Sequence, residues 1–447
     1  MRRRSLLGFL LISLFSCQNE FSLDAKSSET ENLETAVSTV VTIDQAKKSA
    51  VNFLNRKTNQ AKGLPVFSVN EIEEVQTIEN DRGVPIMYAI NLANNKGFVV
   101  LSASIFEKPI LAYSNFGKFD FENIEEYGGV VDWAYTKYLK IDNLITKNVR
   151  PNADVIAQWN VVNPELSIGI ADSDGNIISL PPLSPIEIVN QEDVTETYGP
   201  HLTTAWGQSL STTPGFSIIG YNNFVRFNNC PQGTAPTGCV ATAVAQIMKY
   251  YNHPNIYEIN NMPNVVTEQN YTTSEAHNVA YFMQDIGAKV SMSYSCTGSG
   301  AYSSDARNAL VTHYSYNASN VMNLNTDDLV NDLINSKPVY LDGCGIRKIK
   351  TRPKKIGVFG WTIGKTTYSY ENCHAWVADG YEAIYRTTTY NNGYTDTIKI
   401  ASVINMNWGW NGQYNGWYDY ENWNESNGDP SLNYIYQQHM INNINPR

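Results

Sequence analysis

Apolar positions recur at helical spacing over Val240, Val244, Ile247, Met248 and Tyr251, which predicts a helix opening at Cys239 directly after Gly238. A second stripe, Ala46, Ala50, Phe53 and Leu54, follows Thr42-Ile-Asp-Gln45, a capping-box pattern that starts a helix near Thr42. Val131, Ala134, Tyr138 and Ile141 predict a helix over 130–144, and further helices are expected around 276–286 and 304–313. Runs of β-forming residues predict strands at 86–92 and 97–101 around an Asn-Asn-Lys-Gly turn, and a third at 110–113. Past Asn152 the pattern is irregular, and Leu180-Pro-Pro-Leu-Ser-Pro185 breaks it. Later strands are expected at 338–341, 375–378, 397–403 and 416–418.

This order divides the chain. Residues 40–195 form a smaller α+β region, and 196–447 form a second α+β domain with helices first and antiparallel strands later. The break and the polar, acidic stretch 190–197 read as an exposed, cleavable boundary. Residues 18–39 are rich in Ser, Thr, Glu and Asn and read as a flexible tether. Ahead of them, Arg2-Arg3-Arg4 and a short apolar run ending in Leu14-Phe-Ser-Cys17 read as an export signal over 1–17. The Leu-x-x-Cys ending resembles a bacterial lipobox, which makes Cys17 the lipidation site of an outer-membrane or cell-surface lipoprotein. Its membrane contact would be the lipid anchor alone.

The formal net charge of −11 speaks against nucleic acid as a general partner. With Cys17 lipidated and Cys239 set aside, Cys230, Cys296, Cys344 and Cys373 remain. They can pair in three ways and lack metal-ligand spacing, so neither metal nor organic cofactor is expected.

The chemistry gathers at three places. Backbone N–H groups at a helix start favour a thiolate, so Cys239 is the candidate nucleophile. His374, one of six histidines, opens the 375–378 strand and is the candidate base, which would hold the sulfur as a thiolate–imidazolium pair. Asn407 is the group expected to orient that imidazole, with Trp408 shielding the contact. Cys, then His, then Asn is the chain order of a papain-like thiol protease.

The segment from Gly238 to Tyr250, with His374-Ala-Trp-Val-Ala-Asp-Gly380 and Asn407-Trp-Gly-Trp410, resembles the streptopain family of cysteine proteases. The likeness covers about 203 to the C-terminus, and a weaker one joins 42–114 to that family's inhibitory prosegment. It implies a papain-like fold, a secreted zymogen acting on polypeptides, and inhibition by its own propeptide. Gln208 matches the oxyanion donor, beside the Cys239 N–H. Gly298 and Ser299 match a loop that contacts substrate backbone, and the family favours an apolar residue just before the one attacked. Two departures stand out. Cys373 replaces the usual Gly before the base, where it would narrow the cleft or pair with Cys344. The basic segment 347–355 is an insertion, read as a solvated hairpin, as an exosite for acidic partners, or as a loop cut during maturation. The expected activity is that of a cysteine endopeptidase; acyl transfer and a non-catalytic surface-binding role are the alternatives.

Overall fold

The computed structural model describes residues 39–447 apart from 61–66, 125–126, 128, 150, 167–169, 172–176, 179–187, 211–218, 352–353, 357–360, 364–366, 392 and 420–435. The first helix, α1 (Ile43–Gln60), begins where the capping box places it. Thr42 N–H donates to Gln45 Oε1 at 2.8 Å, and Gln45 N–H donates to Thr42 Oγ1 at 3.3 Å. These bonds satisfy donors that a first helical turn leaves free. Its apolar stripe packs on an antiparallel meander of β1 (Ile72–Glu79), β2 (Pro85–Leu92), β3 (Phe98–Ser102) and β4 (Ile110–Ser114). On the opposite face lies α2 (Val130–Thr146), through Val130, Trp133, Ala134 and Ile141.

Two elements depart from the expected pattern. In the stretch read as irregular, α3 (Ala153–Val162) forms, capped by Asn152 Oδ1 accepting from Val155 N–H at 2.8 Å. Its residues are apolar nearly all round, so no amphipathic period marks it. The polar stretch 190–197 is not a loose linker. It lies within β5 (Ile188–Tyr198), which pairs antiparallel with 381–390 of a long later strand. Asp193 there accepts a bidentate pair from Arg386 at 2.6 and 2.8 Å, and a third bond from Arg56 of α1 at 2.8 Å. Asp193 thus has fixed partners, and backbone pairing outweighs the lack of an apolar face.

The second half opens with α4 (Cys239–Tyr251), packed by α5 (Ser274–Lys289) and α6 (Ser303–Thr312). Its strands are β6 (Met322–Asn323), β7 (Val339–Thr351), β8 (Thr367–Tyr390), β9 (Thr395–Asn407), β10 (Gly416–Tyr418) and β11 (Tyr436–Ile441). The backbone of the basic segment up to Thr351 extends the β7–β8 hairpin, and its side chains lie outside the described residues.

Both halves share one eleven-stranded sheet, ordered β1-β2-β3-β4-β10-β9-β8-β7-β11-β6, with β5 paired to β8. The junction is β4 against β10, where Tyr113 faces Trp417 and Ala112 faces Tyr418. Two of the hydrophobic clusters also cross it. One joins Leu111, Phe119 and Trp133 to Trp376, Trp408 and Tyr418, and the other joins Phe53, Tyr113 and Trp159 to Ile384, Val403 and Trp417.

Candidate active site

Cys239 is the free cysteine among the described residues, and it stands half-buried at the first turn of α4. Gly238 before it has φ 91°, and a Cβ there would come 2.5 Å from the Met292 sulfur and 3.0 Å from the Ser299 carbonyl oxygen. Only glycine allows this approach. It brings the 295–300 loop to the side of the nucleophile. Backbone bonds between Ser293 and Gly300, at 2.9 and 3.1 Å, and the Cys230–Cys296 disulfide fix that loop. Ser299 is buried, its Oγ accepting from Ser295 N–H at 3.4 Å, whereas Gly298 has open space beside its Cα.

Gln208 is buried, and its carbonyl accepts from Thr237 N–H at 3.0 Å, so its chain runs alongside the approach to Cys239. The segment is held from the other side by Asn411, whose Nδ2 donates to Ser209 O at 3.0 Å.

His374 lies elsewhere. Side chains alternate along β8, and Ala375 and Val377 pack with Cys239 and α4. His374 projects to the other face, parallel to Trp376 and Trp410 at ring distances of 6.1 and 4.8 Å. Its Nε2 donates to the Trp408 carbonyl at 2.8 Å, and no hydrogen bond joins it to Cys239 among the described residues. Residues of the amino-terminal half cover it. A Cβ on Gly129 would lie 2.8 Å from the Trp408 ring and 3.0 Å from His374 Cδ2, and Tyr127 stands edge-on to Trp410 at 5.9 Å.

Electrostatics follow from this burial. Desolvation pushes the His374 pKa down to about 4, with the Trp408 carbonyl pulling it upward. Burial likewise pushes the Cys239 thiol up, opposed by the amides of Ala375, Val240 and Cys239 itself and reinforced by the charge of Asp342. Both shifts favour a neutral thiol and a neutral imidazole.

Asn407 does not touch His374 in this arrangement, contrary to the expected contact. Its Nδ2 donates to the Thr204 carbonyl at 2.7 Å, and its Oδ1 accepts from Gln246 Nε2 at 3.1 Å and Gly409 N–H at 3.3 Å. Gln246 in turn accepts from Thr204 Oγ1 at 2.9 Å and Trp206 N–H at 3.2 Å. The sequence reading missed Gln246, although a Gln on the apolar face of a buried helix needs partners and so signals such a network. Trp408 meets His374 through its carbonyl rather than as a shield over Asn407. Cys373 forms a cross-strand disulfide with Cys344, its register partner on β7. Cys17 lies outside the described residues.

Residues 218–260 and 255–418 match the Peptidase C10 family, and residues 38–134 match the Spi protease inhibitor. Streptopain of Streptococcus pyogenes is 25% identical over 413 residues, spanning 84% of this chain and 83% of the relative. Among solved structures, a fragment of Prevotella intermedia prointerpain A is 19% identical, covering 83% of this chain and 98% of that one with a TM-score of 0.47. Active interpain A cysteine protease from the same organism is 24% identical, covering 55% and 94% with a TM-score of 0.37. The chain is a cysteine-type peptidase with a prosegment ahead of it. More narrowly, its later half matches the Peptidase C10 family, and the chain is similar to streptopain over most of its length.

Proposed function

We propose that this protein is an exported cysteine endopeptidase made as a zymogen, in which the prosegment keeps the catalytic pair apart. The observation that carries the reading is the placement of His374 under Tyr127 and Gly129, bonded to the Trp408 carbonyl rather than to Cys239, whose sulfur meets the neighbouring Ala375 amide. On removal of the prosegment, His374 turns to the sulfur and forms the thiolate–imidazolium pair. Cys239 then attacks a peptide carbonyl, and Gln208 with the Cys239 N–H stabilises the oxyanion. His374 protonates the departing amine, and water releases the acyl-enzyme. Asn407, held by Gln246 and Thr204 beside the His374–Trp408 bond, is placed to take up the imidazole once it leaves the Trp408 carbonyl. The Cys344–Cys373 disulfide fixes the backbone from which it turns. The substrates are polypeptides, and Gly298 and Ser299 hold their backbone. Export follows the likeness to streptopain, and Cys17 supplies the lipid tether.

A time course of Gln18–Arg447 under mild reduction, beside Cys239→Ala, tests this. The wild type is expected to yield a C-terminal fragment and casein hydrolysis, and the variant neither. Hydrolysis by the variant would remove Cys239 from the mechanism. A processed wild type inert on every peptide would refute the endopeptidase reading.

A further inference from the structure

Next to Cys239, on its own face of the sheet, lies a cluster that the proposed reaction does not use. Asp342 of β7 stands in register opposite Ala375, whose amide points at the Cys239 sulfur. Its charge is felt there, opposing ionisation of the thiol. Ser303, the first residue of α6, donates its hydroxyl hydrogen to Asp342 Oδ2, and the Tyr340 hydroxyl lies 3.0 Å from Ser303 Oγ. From β11, His439 Nδ1 donates to Asp342 Oδ1 at 3.0 Å. Ser303 follows four residues after Ser299 in the chain, so its bond to Asp342 ties the segment after that loop to the strand beside the nucleophile. It keeps 15% of its side-chain surface open, and His439 keeps 29%. Next to Ser303 in the chain, Tyr302 stands with 79% of its surface exposed at the start of α6.

We propose that Asp342 is a specificity determinant that receives a Lys or Arg side chain from one of the two substrate residues on the acyl side of the scissile bond. This rests on the endopeptidase reading and departs from the apolar preference that the family resemblance implies. A carboxylate offers about four acceptor directions, and Ser303 and His439 occupy two of them. An entering guanidinium or ammonium takes the remaining directions or displaces His439, and the exposed ring of Tyr302 offers it a π-face. An apolar side chain would leave that partly desolvated carboxylate with fewer partners.

The test uses the full chain after self-processing, with fluorogenic tetrapeptides carrying Arg, Lys, Leu or Glu at each of those two positions. At one of them the expected kcat/KM is at least tenfold higher for Arg and Lys than for Leu, and lowest for Glu. Asp342→Asn is expected to lower the basic-to-apolar ratio at least tenfold. His439→Gln, which removes the imidazole that competes for the carboxylate, is expected to raise it. A merely structural role would not move the ratio in opposite directions. Efficient cleavage after Leu with no preference for basic residues would overturn the assignment while leaving the protease reading intact. Equal losses on all peptides in both variants would overturn it as well. No hydrolysis of any peptide by the processed wild type would instead count against the endopeptidase reading.

Discussion

At the scale of single residues, the closed state depends on where one imidazole sits. With its pKa near 4, His374 is neutral over the range from pH 5 to 8, whereas a solvated histidine titrates near 6.5. Between those values the opened or unfolded chain binds more protons, so the closed form loses stability as pH falls from about 6.5 through about 4. Taken in full, this is about 3 kcal/mol. Asp132, raised to about 7 by burial, acts in the other sense. Its contribution is present below about 4 and is lost as pH rises through about 7. Thermal melts of Cys239→Ala and Cys239→Ala/His374→Gln at pH 7 and pH 4.5 separate the two. The acid-dependent loss should be smaller in the double variant, and equal losses would contradict the histidine's share. Gly129 is the other sensitive position. Its φ of 84° and its proximity to Trp408 and His374 leave no room for a Cβ. Gly129→Ala should weaken the closed form by about 1–3 kcal/mol and speed conversion to the C-terminal fragment on gels. An unchanged conversion rate would show that this contact does not hold the closed state.

At the scale of elements, β5 makes a distinct prediction. Because 188–198 pairs along β8, a cut that spares the fold falls on its amino-terminal side. Mass spectrometry of the C-terminal fragment should find its first residue upstream of Ile188; a start downstream of Tyr198 would contradict this pairing. α1, α2 and α4 were legible because each buries one stripe at a spacing of 3.6, and the capping box marked the start of α1. β5 was not legible, since Asn190, Gln191, Glu192 and Asp193 carry no alternation and the partners of Asp193, Arg56 and Arg386, are remote in the chain. α3 was hidden for the opposite reason, being apolar almost all round. At the site, the types and order of Cys239, His374 and Asn407 could be read from the chain. The contacts of His374 could not, because Gly129 meets it across 245 positions of sequence. Pairing with Cys344 was one of the two outcomes expected for Cys373, whereas the Cys230–Cys296 bond depends on a fold that only the tertiary structure defines.

At the scale of the whole molecule, the prosegment is held by buried charge as well as by strands. Lys57 of α1 pairs with Glu382 at 2.7 Å, and Asp419 is shared by Lys108, at 2.8 Å, and Lys137. The cations come from the amino-terminal half and the acids from the second half. Asp419 is almost wholly buried, so Asp419→Asn would leave two lysines facing a neutral amide. Removing one partner of a buried pair costs about 3–5 kcal/mol. Full-length Cys239→Ala/Asp419→Asn should therefore become trypsin-sensitive in its prosegment at a lower temperature than Cys239→Ala, and identical profiles would place the closure elsewhere. The β4–β10 junction has a further consequence. A cut in the chain ahead of Ile188 severs one covalent bond but leaves the strand pairing, the shared cores and these ion pairs in place. Nicked protein would remain a single inactive particle, and latency would end only when other active copies digest the docked fragment. Maturation would then feed on its own product, so activity plotted against time should rise after a lag that shortens as the protein is made more concentrated.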